Sequence, residues 1–184
     1  MTILPVTFNN FHTPSVLQNI KPQVNDPCIM VKEFCKTFKL PNEKRNYSDF
    51  DENLATKISS YKEKAITPVL NMLSKTDEEK EITAGLLLLN RIIDSGAKNV
   101  GDTYPIISRF NYSSSHNVQV MLAGIYRKTL VPDAFGPLLT VFARNAKNPV
   151  QIPFDPNEEV GGAILEYLRN TSAKENYKNT TKTT

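Results

Sequence analysis

The stretch that decides the predicted fold is PVLNMLSKTDEEKEITAGLLLLNRII, residues 68–93. It contains two apolar segments with the three-to-four-residue spacing of buried helix faces, separated by a short polar turn. Thr76-Asp-Glu-Glu79 has the form of a capping box, which predicts the start of the second helix. Gly96 follows this helix at a position where a left-handed residue ends helices. We therefore predict a hairpin of two helices.

The same pattern recurs twice further along the chain. Pro105–Phe110 and Pro137–Phe142 repeat the proline, the two aliphatic residues and the bulky apolar residue of Pro68–Leu73. The second helices align as well, and three sets of residues match: Ile82, Leu86, Leu89 and Arg91; Val118, Leu122, Ile125 and Arg127; Val160, Ile164, Tyr167 and Arg169. Pro27 opens a more divergent fourth pair that ends near Ala65. The second helix of that pair is predicted from residues that recur every three or four positions: Phe50, Leu54, Ile58, Tyr61 and Ala65. The pair-opening prolines are 41, 37 and 32 residues apart, which is typical of two-helix repeats.

This pattern resembles the HEAT/armadillo-like α-solenoid family, whose unit has an early proline, a polar turn and a basic residue near the end of its second helix. Pro68–Ile93 fits that unit best, and the resemblance covers roughly residues 26–170. The chain departs from the family in the shortness of Pro68–Ser74 and in its turns, which lack the acidic-plus-basic signature. The resemblance implies an all-α fold of about four antiparallel helical hairpins, stacked as a short right-handed superhelix. The alternative is an irregular helical bundle.

Composition divides the chain into three parts. Residues 1–25 contain prolines and scattered apolar residues without a helical period, which predicts an extended or partly disordered amino-terminal arm. Its apolar residues Phe8, Phe11, Val16 and Leu17 are candidates to cap the repeat stack. Residues 26–170 form the helical domain, which includes an insertion at 145–156. Within this domain the side chains of Asp26, the Ser113–Ser115 run and Asp155 are of the types that begin helices, so each predicts a helix start. Residues 171–184, rich in Lys, Thr and Asn, predict a disordered tail.

The overall composition excludes several protein classes. The 184 residues include 22 Lys+Arg, 19 Asp+Glu and two cysteines, so the chain is neither a wholly disordered protein nor a disulfide scaffold. The amino end has no secretory-signal pattern and no apolar run is long enough to span a membrane, so we expect a cytoplasmic protein. Cys28 and Cys35 are predicted to be reduced core thiols on one side of a helix.

The candidate binding residues lie on the predicted second helices. Arg91, Arg127 and Arg169 align in the repeats, and stacking in register predicts a ladder of guanidinium groups. Their candidate neighbours are Asn90, Tyr126 and Lys128. Such a ladder suits an acidic peptide or protein partner, because arginine offers a planar fork of donors. The structural alternative is that each arginine stabilises the carboxyl end of its helix and bridges to the next repeat.

The leading hypothesis is therefore a non-enzymatic protein–protein interaction module, a scaffold or adaptor that binds its partner on a concave solenoid face. The alternative is a small helical enzyme or ligand-binding domain with a polar cluster around Cys35, His116 or Tyr104. His12 lies in the arm. No metal-binding or nucleotide-binding motif is present, so no catalytic residue, cofactor or metal is predicted. Nucleic acid is a less favoured partner, because the net charge is only +3 and aromatic residues do not alternate with the basic ones.

Overall fold

The computed structural model describes residues 25–42, 44–149 and 155–180, with side chains described as far as residue 171. The helices are α1 (Pro27–Thr37), α2 (Glu52–Ser60), α3 (Glu63–Leu73), α4 (Glu79–Asp94), α5 (Tyr104–Ile107), α6 (His116–Thr129), α7 (Phe135–Lys147) and α8 (Pro156–Thr180). Three 3-10 turns flank α5 and precede α7: Val100–Thr103, Ser108–Phe110 and Pro132–Ala134. The described residues contain no β-strand beyond isolated bridges near residues 39–49. The predicted all-α fold is confirmed.

Most of the predicted helix ends are found in the structure. The side chains of Asp26, Ser115 and Asp155 each accept a backbone hydrogen bond at the start of a helix, which satisfies a donor that the helix itself leaves unpaired. Gly96 has a φ of 85°, as predicted for the residue that ends α4. The capping box at Thr76 is incomplete. Its Oγ1 accepts a hydrogen bond from the amide of Glu78, and α4 begins one residue later.

The prediction of one helix from Phe50 to Ala65 is wrong. Helix α2 ends at Ser60, and α3 begins at Glu63. Between them Lys62 adopts a φ of 50°, which no continuous right-handed helix contains. Ala65 is buried, but it lies in α3. The apolar spacing therefore continues across the break between α2 and α3 and gives no sign of it. Pro68 consequently lies inside α3, and the first helix of this pair is longer than the sequence pattern indicates.

The helices of successive pairs pack in a regular order. Helix α2 contacts α4, α4 contacts α6, and α6 contacts α8, while α3 packs on α4 and α7 on α8. The Ser95 hydroxyl donates to the Ser59 carbonyl at 2.9 Å, and the Tyr167 hydroxyl donates to the Val131 carbonyl at 2.6 Å. Both bonds join residues 36 positions apart. Neighbouring second helices therefore run in the same direction, one repeat apart in sequence.

Helix α4 lies at the centre of this packing. It contacts α1, α2, α3 and α6, and every residue from Ile82 to Leu89 is buried. Gly85 permits the close approach of α3, because a Cβ at this position would lie 2.6 Å from Met72 Cε and 2.7 Å from Leu73 Cδ2. The apolar core is thus continuous around one nearly enclosed helix.

The two ends of the chain differ in what the structure describes. Helix α8 continues beyond residue 170 to Thr180, into the segment for which composition predicts a disordered tail. No proline or glycine follows Gly162 within this helix, so no residue of the helix-breaking types interrupts it. The arm at residues 1–24, with its candidate capping residues and His12, lies outside the described residues, as do positions 150–154 of the insertion.

Candidate functional site

A row of charged side chains crosses the second helices. Its three ion pairs are Arg91 Nη2–Glu52 Oε1 at 2.6 Å, Lys128 Nζ–Asp94 Oδ1 at 2.7 Å, and Arg127 Nη1–Glu159 Oε2 at 3.4 Å. We call these six residues the second-helix row. Each pair joins two neighbouring helices, in the order α2–α4, α4–α6 and α6–α8. The three basic residues lie in the last turns of their helices, where the helix dipole favours a positive charge.

The ion pairs of the row are too exposed to hold the fold together. The Arg91 and Arg127 side chains are 40% and 42% exposed, and an ion pair at such a surface contributes about 0–1 kcal/mol. The guanidinium of Arg91 also lies 5.8 Å from the ring centre of Phe50, a cation–π contact that restricts its orientation. The row therefore presents ordered, solvent-accessible charges.

Asn90 links two of these helices through its side-chain amide. Its Nδ2 donates to the Met121 carbonyl of α6 at 2.9 Å, and its Oδ1 accepts from Lys128 Nζ at 3.3 Å. Gly124 makes room for this link, because a Cβ there would lie 3.0 Å from Asn90 Oδ1. Asn90 thus joins α4 to α6 and positions Lys128 within the row.

The other two predicted site residues lie away from the row. Tyr126 is only 2% exposed, and its hydroxyl donates to Asn111 Oδ1 at 2.5 Å in the interior. Burial raises the pKa of this phenol far above its usual range. Arg169 is 75% exposed and pairs with Glu166 on its own helix at 3.7 Å. It follows Gly162, the residue beside Arg127, by seven positions, which is about 10 Å along a helix.

Sequence analysis missed two arginines that connect the first helices. Arg109 donates to the carbonyl of Ser74 at 3.2 Å and pairs with Asp77. Arg144 donates to the Ser113 carbonyl at 2.7 Å, at the corresponding turn of the next pair. Arg109 therefore satisfies a carbonyl group that the end of α3 leaves unpaired, whereas Arg144 shares the Ser113 carbonyl with Gln119 Nε2. Their separation of 35 positions is the signal that could have identified them.

The enzyme alternative relies on Cys35, His116 or Tyr104, which lie on three different helices. Cys35 is buried as predicted, and burial raises the pKa of its thiol to about 12. This thiol is protonated at neutral pH and is a poor nucleophile. The prediction that Cys28 is also a core thiol is wrong, because Cys28 is exposed. The Tyr104 hydroxyl donates to the Asp133 carbonyl at 2.8 Å, and His116 occupies the first position of α6.

Two openings lie at the surface of the described structure. A groove of about 360 Å³ lies between α1 and α3, and its lining mixes Cys28 and Met72 with the charged residues Lys32, Lys75 and Glu81. A recess of about 10 Å³ beside Asn111 and Tyr126 has room for about one water molecule. Within the described ranges, no three acidic, His or Cys residues cluster as metal ligands, and no helix is long and apolar enough to cross a membrane.

The second-helix row is the arrangement that best suits recognition of another molecule. The row contains Arg91, Arg127 and Lys128, and Asn90 contacts it through Lys128, so four of the six residues that the sequence singled out lie together. Comparison of the chain with known proteins found no matching family model, and no similar protein among curated sequences or among solved structures.

Proposed function

We propose that this chain is a non-enzymatic protein-interaction module that binds a protein partner along the second-helix row. The single observation that carries the proposal is the row itself, in which neighbouring helices present partly exposed arginine and lysine side chains. A surface of this kind is extended and polar, as in proteins that bind a partner along several repeats.

The proposed architecture is a short HEAT-like solenoid of four helix pairs, α1–α2, α3–α4, α5–α6 and α7–α8. The side-by-side order of the second helices supports it, as does the recurrence of hydrogen bonds between residues about one repeat apart. In this arrangement the second helices line the concave face and the superhelix is right-handed.

The proposed partner carries carboxylate groups. Arg91 and Arg127 each contact a carboxylate through one terminal nitrogen, so each guanidinium has further donors that an incoming acidic side chain can use. A partner would displace Glu52 and Glu159 and take over their ion pairs. Because these contacts lie at the surface, we expect binding to weaken as salt concentration rises.

The test compares three versions of the chain as bait in a lysate treated with nuclease: wild type, Arg91→Ala with Arg127→Ala, and Lys36→Ala. Lys36 is the matched control, since it is a basic residue in an exposed ion pair on α1, away from the row. We expect mass spectrometry to identify a protein that wild type and the control retain and the double variant loses. Direct titration of that protein should then show at least about tenfold weaker binding by the double variant, which corresponds to about 1.4 kcal/mol.

Thermal unfolding of the same variants separates binding from stability. We expect the double variant to melt within a few degrees of wild type, because each pair contributes about 0–1 kcal/mol. Retention of the same proteins by all three baits, together with a lower melting temperature of the double variant, would show that the row is structural. Recovery only without nuclease would favour nucleic acid as the partner.

A further inference from the structure

The last helix pair exposes a group of large apolar side chains. Leu139 and Phe142 on α7 are 44% and 39% exposed, and Leu165 and Leu168 on α8 are 54% and 49% exposed. A fully exposed side chain of this size presents about 150–200 Å², so the four expose roughly 300 Å² of apolar surface. An area of this size is comparable to the largest apolar patch on a typical monomer, which is often an interaction site.

These four side chains lie on one face of the pair. The Phe142 ring packs over Gly161, where a Cβ would lie 3.2 Å from its Cε2, and the Phe135 ring lies 5.4 Å from that of Tyr167. The later residue of α7 contacts the earlier residue of α8, and the earlier residue of α7 contacts the later one of α8. The two helices are therefore antiparallel. Leu139 precedes Phe142 by one turn, and Leu165 and Leu168 follow Gly161 by one and two turns, so the four neighbour one another. We call them the end face.

The charges beside the end face are complementary across a two-fold axis. Lys147 near the end of α7 and Glu158 in the first turn of α8 are both exposed, and the ion pairs of the described residues involve neither. A two-fold axis parallel to the helices would place α7 of one copy against α8 of the other. The end of each α7 would then lie at the same level along the axis as the start of the α8 that it faces. Lys147 of each copy would then lie near Glu158 of the other, which gives two equivalent ion pairs.

The dimensions of the face also suit a second copy. Helix α7 and the first thirteen residues of α8 are each about 20 Å long, and two helices about 10 Å apart give each copy a face of roughly 400 Å². A dimer would then bury roughly 800 Å² in total, the size of a weak, concentration-dependent interface. Two such hairpins facing each other form an antiparallel four-helix bundle of two layers, an arrangement that buries the apolar stripes of all four helices.

We propose that the end face is the interface of a homodimer of this chain, in which α7 and α8 of one copy pack on α8 and α7 of the other. The proposal does not depend on the second-helix row, because the end face consists of other residues and its test needs only the purified chain.

The first test is sedimentation velocity of the purified chain over roughly 1–200 µM, since dimerisation depends on concentration. We expect wild type to change from monomer to dimer in this range. Leu165→Glu with Leu168→Glu should weaken the dimer at least about 100-fold, because it buries two carboxylates at the interface. Ile29→Glu is the matched control, a change at a 50% exposed residue of α1, and should leave the dimer unchanged.

A charge exchange tests the two-fold arrangement without changing the apolar residues. Lys147→Glu and Glu158→Lys should each weaken the dimer several-fold, and the two changes together should restore it. A wild-type chain that stays monomeric throughout would overturn the proposal, even if the end face then binds another protein. A dimer that resists both the leucine changes and the single charge changes would place the interface elsewhere, and a double charge variant that remains weak would refute the two-fold pairing.

Discussion

Replacement of Gly85 by alanine tests the close packing of α3 on α4. The added methyl group would lie 2.6 Å from Met72 Cε and 2.7 Å from Leu73 Cδ2, well inside van der Waals contact. Met72 can move its terminal methyl group, but Leu73 is fully buried. We therefore expect the variant to fold with a strained contact between these two helices.

The magnitude follows from two opposing effects. Overpacking of a filled core costs about 1–3 kcal/mol, whereas alanine is about 1 kcal/mol more favourable than glycine inside a helix. Gly136→Ala is the matched control, because Gly136 also lies in a helix but has no heavy atom within 4 Å of the added Cβ. The difference between the two variants isolates the packing cost, about 1–3 kcal/mol, or roughly 2–12 °C in melting temperature for a chain of this length.

The measurement is thermal unfolding of both variants by circular dichroism, with urea unfolding as a second method. Gly85→Ala should melt below wild type, and Gly136→Ala at or slightly above it. Met72→Ala in the Gly85→Ala background should recover part of the packing cost, which a double-mutant cycle measures. If alanine stabilises the protein equally at positions 85 and 136, the close contact between α3 and α4 does not exist.

Three further predictions concern buried groups. Tyr126→Phe leaves Asn111 Oδ1 without its buried donor, so urea unfolding should show that the free energy of unfolding falls by about 1–3 kcal/mol. An equal fall in Tyr47→Phe, at a 69% exposed residue, would contradict this explanation. At pH 8 a thiol reagent should modify Cys28 at once and Cys35 only as the chain unfolds, and two fast thiols would contradict the burial of Cys35. Because the pKa of Cys35 rises from 9.0 to about 12 on folding, its contribution to stability is complete below pH 9 and should be lost as pH rises towards 12.

Local sequence patterns predicted the elements whose signals are chemical and short in range. Asp26, Ser115 and Asp155 supply the side-chain oxygens that begin helices, and Gly96 supplies the left-handed turn. The break between α2 and α3 was missed, because it depends on the backbone of Lys62, a residue without a turn preference. Apolar spacing alone cannot distinguish a continuous helix from two helices that bury the same side.

The candidate site was predicted in part for a similar reason. The offset of 36 residues that aligns Arg91 with Arg127 matches the spacing of hydrogen bonds between neighbouring second helices. The offset of 42 that aligns Arg169 with Arg127 does not match, since Tyr167 lies beside Val131. Tyr126 follows Ile125 on the apolar side of α6, and only its packing around Asn111 shows that it is buried. The acidic members of the row have no pattern of their own in the sequence.

The near-complete enclosure of α4 has a consequence for the motions of the chain. A helix with neighbours on nearly every side cannot open by itself, because its amides reach solvent only when several other helices separate. Hydrogen exchange in α4 would therefore require close to global unfolding, whereas α7 and α8, which among the described helices pack mainly on each other and on α6, can open at a lower free energy. The molecule would thus have its slowest-exchanging amides in its first half and its most readily opened helix pair at the face where we place the second copy.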